Sequence, residues 1–443
     1  MSEIEIEKIG TMVTAHFPQE GVTIQTKRIN DSEYGSFRAE IKVFAKLLMN
    51  GVHEVRELNR SRPDLLDDGS KDRLIKNLEE KTQDYPGFFW GNIIDRAFNE
   101  IIDKHREGEA AIVMGDLEGF EPRNYAIKPI FRKGVANLIW ARGGSAKSYY
   151  GLLSCVMIDQ GLSLMGLKAR KGVALYLDWE ETEDLFKQRL KALHKGLGLP
   201  LTSGIIYKNM AGSLANNIEI VSELVNKHGV TFMVVDSVGA ALGGSGIEQQ
   251  VVEDYFAAGN LLKITWLSID HANRAGETTG NWAIHGSAYK YARSRMVYEV
   301  KKVQENDSGD MEMVLYHRKG NDDGIKSPRG FNVKFVTKDM YNPDEDDYDE
   351  QLDMVTFSSM KMGDANNKLL RKMSIPEICY SLIDAHGPTP MYKLAETVSY
   401  IKDATVSEDG IELAISDAKS LSLGSDGITV YMTSSQEVNE WTV

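Results

Sequence analysis

A few short stretches of this chain carry residue types suited to phosphate chemistry. In the first, Ala141-Arg142-Gly143-Gly144-Ser145-Ala146-Lys147-Ser148-Tyr149, a small glycine-containing loop follows an apolar run and leads into a helical pattern that continues to Gln160. Strand, loop and helix N-terminus make a cradle for a nucleotide triphosphate. Backbone N–H groups and the helix dipole meet the phosphates, Lys147 reaches the β/γ oxygens, and the Ser148 hydroxyl holds Mg²⁺. Alanine stands at 141 and 146, where the pattern G-x-x-x-x-G-K-[ST] has glycine. At 146 the added methyl is tolerable on a helical φ; 141 is the riskier position if it needs φ > 0. An ordinary strand–turn–helix has the same layout, so the downstream residues decide between the two.

Those residues are acidic and fall at strand ends. Val173–Asp178 reads as a strand ending in Trp179-Glu180-Glu181. A carboxylate there sits at the edge of a parallel sheet where ligands bind, placed to polarise a water attacking the γ-phosphate. Glu180 is the first choice and Glu181 the next, although either acid also suits a helix's first turn. Phe232-Met-Val-Val-Asp236-Ser237 repeats the pattern, with Asp236 reaching Mg²⁺ beside Ser148. Trp266-Leu-Ser-Ile-Asp270-His271 ends in a histidine placed to sense the γ-phosphate, or serving only the fold. The polar, glycine-rich loop that follows, Arg274–His285, holds Trp282, with Lys290 just beyond it. Arg274, Trp282 and Lys290 are the candidate nucleic-acid contacts.

The elements that must position these groups are legible as periodicities. Between residues 125 and 338, apolar strands (Val173–Asp178, Ile205–Tyr207, Thr231–Asp236, Thr265–Asp270) alternate with helical patterns (Thr182–Gly196, Ala215–His228, Gln249–Lys263). Such alternation predicts an α/β fold with a parallel sheet and right-handed crossovers. Strands without intervening helices follow (Arg295–Val303, Met311–His317, Phe331–Thr337), predicting an antiparallel extension. Residues 1–120 predict a small α+β accessory domain, with strands Val22–Ile29 and Ser36–Phe44 and helices around Lys71–Lys81 and Phe88–His105. Asp339–Asp353 carries eight carboxylates and no basic residue, which reads as part of a solvated linker over 339–373. Residues 374–443 open on a capping box, Ser374-Ile-Pro-Glu377. Helices Pro390–Tyr400 and Ser407–Ser420 and a strand Gly427–Met432 follow.

At 443 residues the chain is long enough for two or three domains. Its formal charge of −14 argues against coating nucleic acid over the whole surface, but not against binding through a few basic loops. It has no apolar run long enough for a bilayer and no signal-peptide layout at the N-terminus, so no membrane partner is expected. Its two cysteines, Cys155 and Cys379, lie in apolar helical patterns and read as buried thiols. That fits a reducing cytoplasm, bacterial or phage-infected.

The order and spacing of these motifs resemble the RecA-like P-loop ATPase core, most of all the RepA-like and DnaB-like branch of ring helicases. The resemblance covers about residues 125–338. It rests on Ala141–Ser148, Glu180, Asp236-Ser237, His271 and the run from Gly286 to Arg295. It implies ATP and Mg²⁺ as cofactors and a homo-oligomer, a hexameric ring, with ATP sites between subunits. It also implies that Gly243–Gln250 and Arg274–His285 face a channel for single-stranded DNA. A neighbour's basic residue would complete each site, with Arg318, Lys319 and Arg295 the candidates; each also reads as a strand-end surface charge. The last segment resembles a winged-helix domain, but its third helix carries Glu408, Asp409, Glu412 and Asp417 against Lys419. That charge favours protein contacts, so a replication partner is expected through this domain or the N-terminal one.

The resulting expectation is an ATP-dependent motor on single-stranded DNA, a phage- or plasmid-type replicative helicase. One alternative is an ATPase switch acting on a protein partner without translocating. Another is a binding module that has lost hydrolysis, against which the intact Lys147, Glu180 and Asp236 argue.

Overall fold

The structure, a computed structural model, describes residues 3–9, 12–31, 35–49, 51–107, 124–273, 284–286, 288–304, 310–321, 326, 328–342, 347–360, 370–371, 373–416 and 421–432. The chain divides into two compact units, Met1–Pro122 with Ala215–Lys227, and Arg123–Leu214 with His228–Val443.

The first unit holds a five-stranded antiparallel meander and three helices, the third formed by residues 215–227. Its strands are β1 (Glu5–Ile9), β2 (Met12–Phe17), β3 (Val22–Asp31), β4 (Phe37–Met49) and β5 (Val52–Ser61), paired in chain order; α1 (Asp68–Lys81) and α2 (Trp90–Arg106) follow. Only β3 and β4 were expected from the sequence. β5 has no apolar periodicity to read: Leu58 is its one fully buried residue, and its charges suit an edge strand. The α2 stripe of Trp90, Ile93, Ile94, Ala97, Phe98, Ile101 and Ile102 recurs at helical spacing and closes on the inner face of the meander. Each fully buried Ile or Phe contributes about 2 kcal/mol.

The second unit is built on a nine-stranded mixed sheet. In chain order its elements begin with β6 (Tyr125–Lys128), β7 (Phe131–Arg132), β8 (Ala136–Ala141) and α3 (Lys147–Gln160). There follow β9 (Ser163–Leu164), β10 (Leu167–Ala169), β11 (Val173–Asp178), α4 (Glu183–Gly196) and β12 (Ile206–Asn209); α5 (Leu214–His228), next in the chain, belongs to the first unit. Next come β13 (Val230–Asp236), α6 (Val238–Ala241), α7 (Gln249–Leu261), β14 (Thr265–His271) and α8 (Ala288–Arg293). Four long strands complete the sheet: β15 (Met296–Gln304), β16 (Met311–Gly320), β17 (Arg329–Asn342) and β18 (Asp347–Met360). The order across it is β12-β11-β13-β14-β8-β15-β16-β17-β18. The members from β12 to β15 are parallel and the last three antiparallel additions are paired in chain order. β6, β7, β9 and β10 form a small separate sheet.

The acidic run is not a linker. Asp339 to Asn342 end β17 and Asp347 to Asp353 begin β18, and the two strands pair along their whole length. Val355 and Phe357 of β18 are buried in the central core, while the acids occupy the edge, where charge blocks further pairing. Asp353 pairs with Lys195 at 2.5 Å and Lys338 at 2.8 Å, which hold its carboxyl at about 2. Gly196, ending α4, lies so close to this strand that a Cβ would stand 1.8 Å from the Val355 carbonyl oxygen.

The last segment contains α9 (Ile375–His386), β19 (Thr389–Pro390), α10 (Met391–Lys402), α11 (Glu408–Ser416), β20 (Leu421–Leu423) and β21 (Thr429–Met432). The capping box forms as expected between Ser374 and Glu377. This segment packs on β16, whose alternation sends Met313 and Leu315 to the central core and Val314 and Tyr316 to the C-terminal one. Cys155 and Cys379 are free and buried. Among the described residues no helix is long and apolar enough to cross a membrane.

Candidate active site

Parallel pairing delivers the chemistry to one edge of the sheet. Asp178 lies beside Asp236, and His271 beside Ala141, so the carboxyl ends of β8, β11, β13 and β14 converge. That is where ligands bind in open parallel sheets.

The loop between β8 and α3 is compact. Its Arg142 carbonyl accepts hydrogen bonds from Ser145 Oγ at 2.8 Å and from Lys147 Nζ at 3.0 Å. Lys147 is 6% exposed, and burial holds its pKa below the ordinary value despite Asp236 and Glu180 nearby. The expected backbone strain is reversed. Ala141 is an ordinary strand residue, whereas Ala146 takes φ 57°, ψ 24°, the left-handed region. Ala146 also gives α3 no side-chain cap, so the first-turn N–H groups have no side chain to receive them.

The acids are organised in layers. Asp236 accepts a hydrogen bond from Tyr176 OH at 2.6 Å and another from Ser148, and burial raises its carboxyl to about 6. The Asp236–Ser237 peptide is cis. Asp178 Oδ1 accepts from the backbone N–H groups of Glu180 and Glu181 at 2.9 and 3.1 Å, fixing the turn that presents both. Glu181 is taken by Arg189 at 2.7 Å. Glu180 instead faces His271 Nε2 at 3.4 Å and accepts from Ser237 Oγ. Hydrogen bonding to His271 is the larger cause, with Ser237 adding to it, and together they hold Glu180 at about 2 against the cost of burial. A carboxylate kept ionised beside a buried lysine and a hydroxyl–carboxylate pair is equipped to orient a water.

Residues 105–276 match the sequence pattern of the family described as an AAA domain. The central domain is a P-loop ATPase. Comparison with curated proteins gives no match. Among solved structures, the crystal structure of a KaiC-like protein from the hyperthermophilic archaeon Pyrococcus horikoshii OT3 is similar at 12% identity, covering 53% of this chain and 98% of that one. The TM-score is 0.36, and the assignment rests on the family match and the site itself.

The residues at this edge fit a nucleoside triphosphate and a divalent metal. The uncapped turn of α3 offers N–H donors, Lys147 has a carbonyl rather than a carboxylate as its hydrogen-bond partner, and Ser148 with Asp236 forms an oxygen pair that would hold Mg²⁺. When bound, ATP supplies the electrophilic phosphorus and Mg²⁺ neutralises its oxygens. Arg142, Gly143, Gly144 and Ser145 complete the loop.

Other expected site residues are placed differently. Tyr149 packs its ring under the Arg189 guanidinium at 5.3 Å and edge-on to Phe335 at 5.1 Å. Lys290 does not face a nucleic acid: it is 1% exposed and paired with buried Asp270 at 2.9 Å, donating also to the His285 carbonyl. An ammonium so enclosed cannot reach a phosphate backbone. Arg274 and Trp282 lie outside the described residues.

Arg295 and Lys319 lie toward the opposite edge of the sheet, and Arg318 lies mid-strand. Arg295 N–H bonds the Ala136 carbonyl, at the start of β8, and Lys319 stands opposite Val297. Along β8 the level of Arg295 is five residues, about 17 Å, before Ala141, and that of Lys319, opposite Val297 and hence Leu138, is three residues, about 10 Å, before it. Arg318 pairs with Glu299 at 2.9 Å, and Lys319 Nζ donates to the carbonyls of Tyr291, Ala292 and Ser294 around the end of α8. Sequence reasoning missed Tyr176, Asp178 and Asp270. Tyr176 reads as core, and the two aspartates read as strand ends; only the cross-strand register reveals their partners.

Proposed function

We propose that this chain is an ATP-hydrolysing motor of RecA-like type that assembles head to tail and moves on single-stranded DNA, as a phage- or plasmid-type replicative helicase does. Lys147 and Ser148 hold phosphate and metal, Asp236 supports the metal, and Glu180 orients the attacking water. The observation that carries the reading is the contact between Glu180 and His271. His271 ends the strand leading into the 274–285 loop, so a change at the γ-phosphate has a direct mechanical route to the segment expected to hold DNA. The position of Arg295, beside Ala136 at the start of β8 and far from its own chain's loop, supports sites completed by a neighbour in a hexameric ring.

Steady-state ATP hydrolysis with and without single-stranded DNA tests this. Several-fold stimulation by DNA, lost in Lys147→Ala and Glu180→Gln, is expected. Hydrolysis equal under both conditions points to the second reading, an ATP switch acting on a protein partner. That reading draws support from the buried Lys290 and from α11, whose first turn carries Glu408 and Asp409. The helix, strand, helix, helix, strand, strand order of the last segment supports reading it as a winged helix, and its acidic α11 suits a protein surface better than DNA.

A further inference from the structure

The strand β15 carries two adjacent lysines, and its alternation sends them to opposite faces. Lys301 belongs to the face of Glu299: it pairs with that carboxylate at 3.4 Å and sits over the Tyr316 ring at 4.8 Å. Lys302 continues the face of Met296, Tyr298 and Val300, which pack in the core beneath α3. Because β15 runs parallel to β8, this face emerges at the carboxyl edge, beside the phosphate loop. A Cβ on Gly144 would stand 3.4 Å from Lys302 Nζ. Gly144 itself has φ +64°. Among the described residues no carboxylate pairs with Lys302.

We infer that Lys302 is a second phosphate-binding cation of the ATP site, supplied by the same chain and reaching the triphosphate from the side of the loop opposite the metal pair. The inference rests on the ATPase reading above. Two ammonium groups converge on one glycine-containing loop: Lys147 Nζ donates to the Arg142 carbonyl at 3.0 Å, and Lys302 Nζ lies beside Gly144. Like charges brought together this way are relieved by an anion between them. A triphosphate is the anion this loop is shaped to take. Lys302 then contributes charge from within the chain, whereas Arg318 is held by Glu299 and Lys319 by the carbonyls at the end of α8.

The test compares Lys302→Met, Lys302→Arg and the control Lys301→Met in ATP binding and hydrolysis by the full chain. Loss of a charged hydrogen bond to phosphate lowers kcat/KM for ATP by about tenfold or more in Lys302→Met. Lys302→Arg recovers most of it, and Lys301→Met, whose side chain faces away, stays within about twofold. If Lys302→Met matches Lys301→Met while the parent chain hydrolyses ATP and Lys147→Ala does not, the inference falls and the ATPase reading stands. If the parent neither binds nor hydrolyses ATP, both fall. Mixing Lys302→Met with Lys147→Ala chains separates same-chain from neighbour action: restored hydrolysis overturns the same-chain assignment, and no recovery supports it.

Discussion

Glu180 Oε1 lies 3.4 Å from His271 Nε2, joining the ends of β11 and β14 across the intervening β13. His271 is the largest cause of the low Glu180 pKa, about 2 against an ordinary 4.5. A carboxylate depressed in the folded state stabilises the fold above its ordinary pKa and loses that contribution as pH falls toward the depressed value. In the parent chain Glu180 therefore stays ionised through mildly acid conditions. His271→Ala removes the main partner and lets the pKa rise, so hydrolysis by the variant falls more steeply than the parent's between about pH 6 and about pH 4. Parallel pH–rate profiles would show that the histidine does not hold the carboxylate.

Ala146 occupies the left-handed region at the start of α3. A left-handed alanine costs roughly 1–2 kcal/mol, and glycine gives back about 0.4–1 kcal/mol in unfolded-chain entropy. Ala146→Gly is accordingly expected to stabilise the domain by about 0.5–1 kcal/mol, read from the midpoint of urea unfolding. A lower midpoint would contradict the strain assigned to this residue.

The buried pair Asp270–Lys290 serves the fold rather than a ligand. Removing one partner leaves an uncompensated charge in the interior, so Lys290→Met costs about 3–5 kcal/mol. The double variant Asp270→Asn, Lys290→Met recovers a large part of that loss. A double-mutant cycle in chemical denaturation measures the coupling, and additive effects would mean the pair is not enclosed.

Gly196 meets the Val355 carbonyl too closely for any side chain. Gly196→Ala must push α4 off β18, and a loss of about 1–3 kcal/mol is expected. The control Gly198→Ala, where no atom lies within 4 Å but φ is +64°, reports backbone strain alone. Equal losses in the two variants would remove the packing argument.

The amino-acid sequence by itself determined most elements of the ATPase domain and the polar residues that its strands bring to one edge. Alternating apolar strands and amphipathic helices are local patterns, and Lys147, Glu180, Asp236 and His271 are recognisable because each stands at the end of such a pattern. The family match over residues 105–276 agrees with that reading of the core. What failed to show locally was whatever depends on a partner far along the chain. The charged edge strands β5 and β18 need only one apolar face, and in β18 the acids concealed it. Lys290, on α8, looked like an exposed cation until Asp270 near the end of β14 turned it inward. The strain expected at Ala141 fell on Ala146 because φ is set by how the loop closes onto α3, not by which residue replaces a glycine. Lys301 and Lys302 are indistinguishable in composition. Only the pleat of β15 and its register beside β8 decide that one faces Glu299 and the other the phosphate loop.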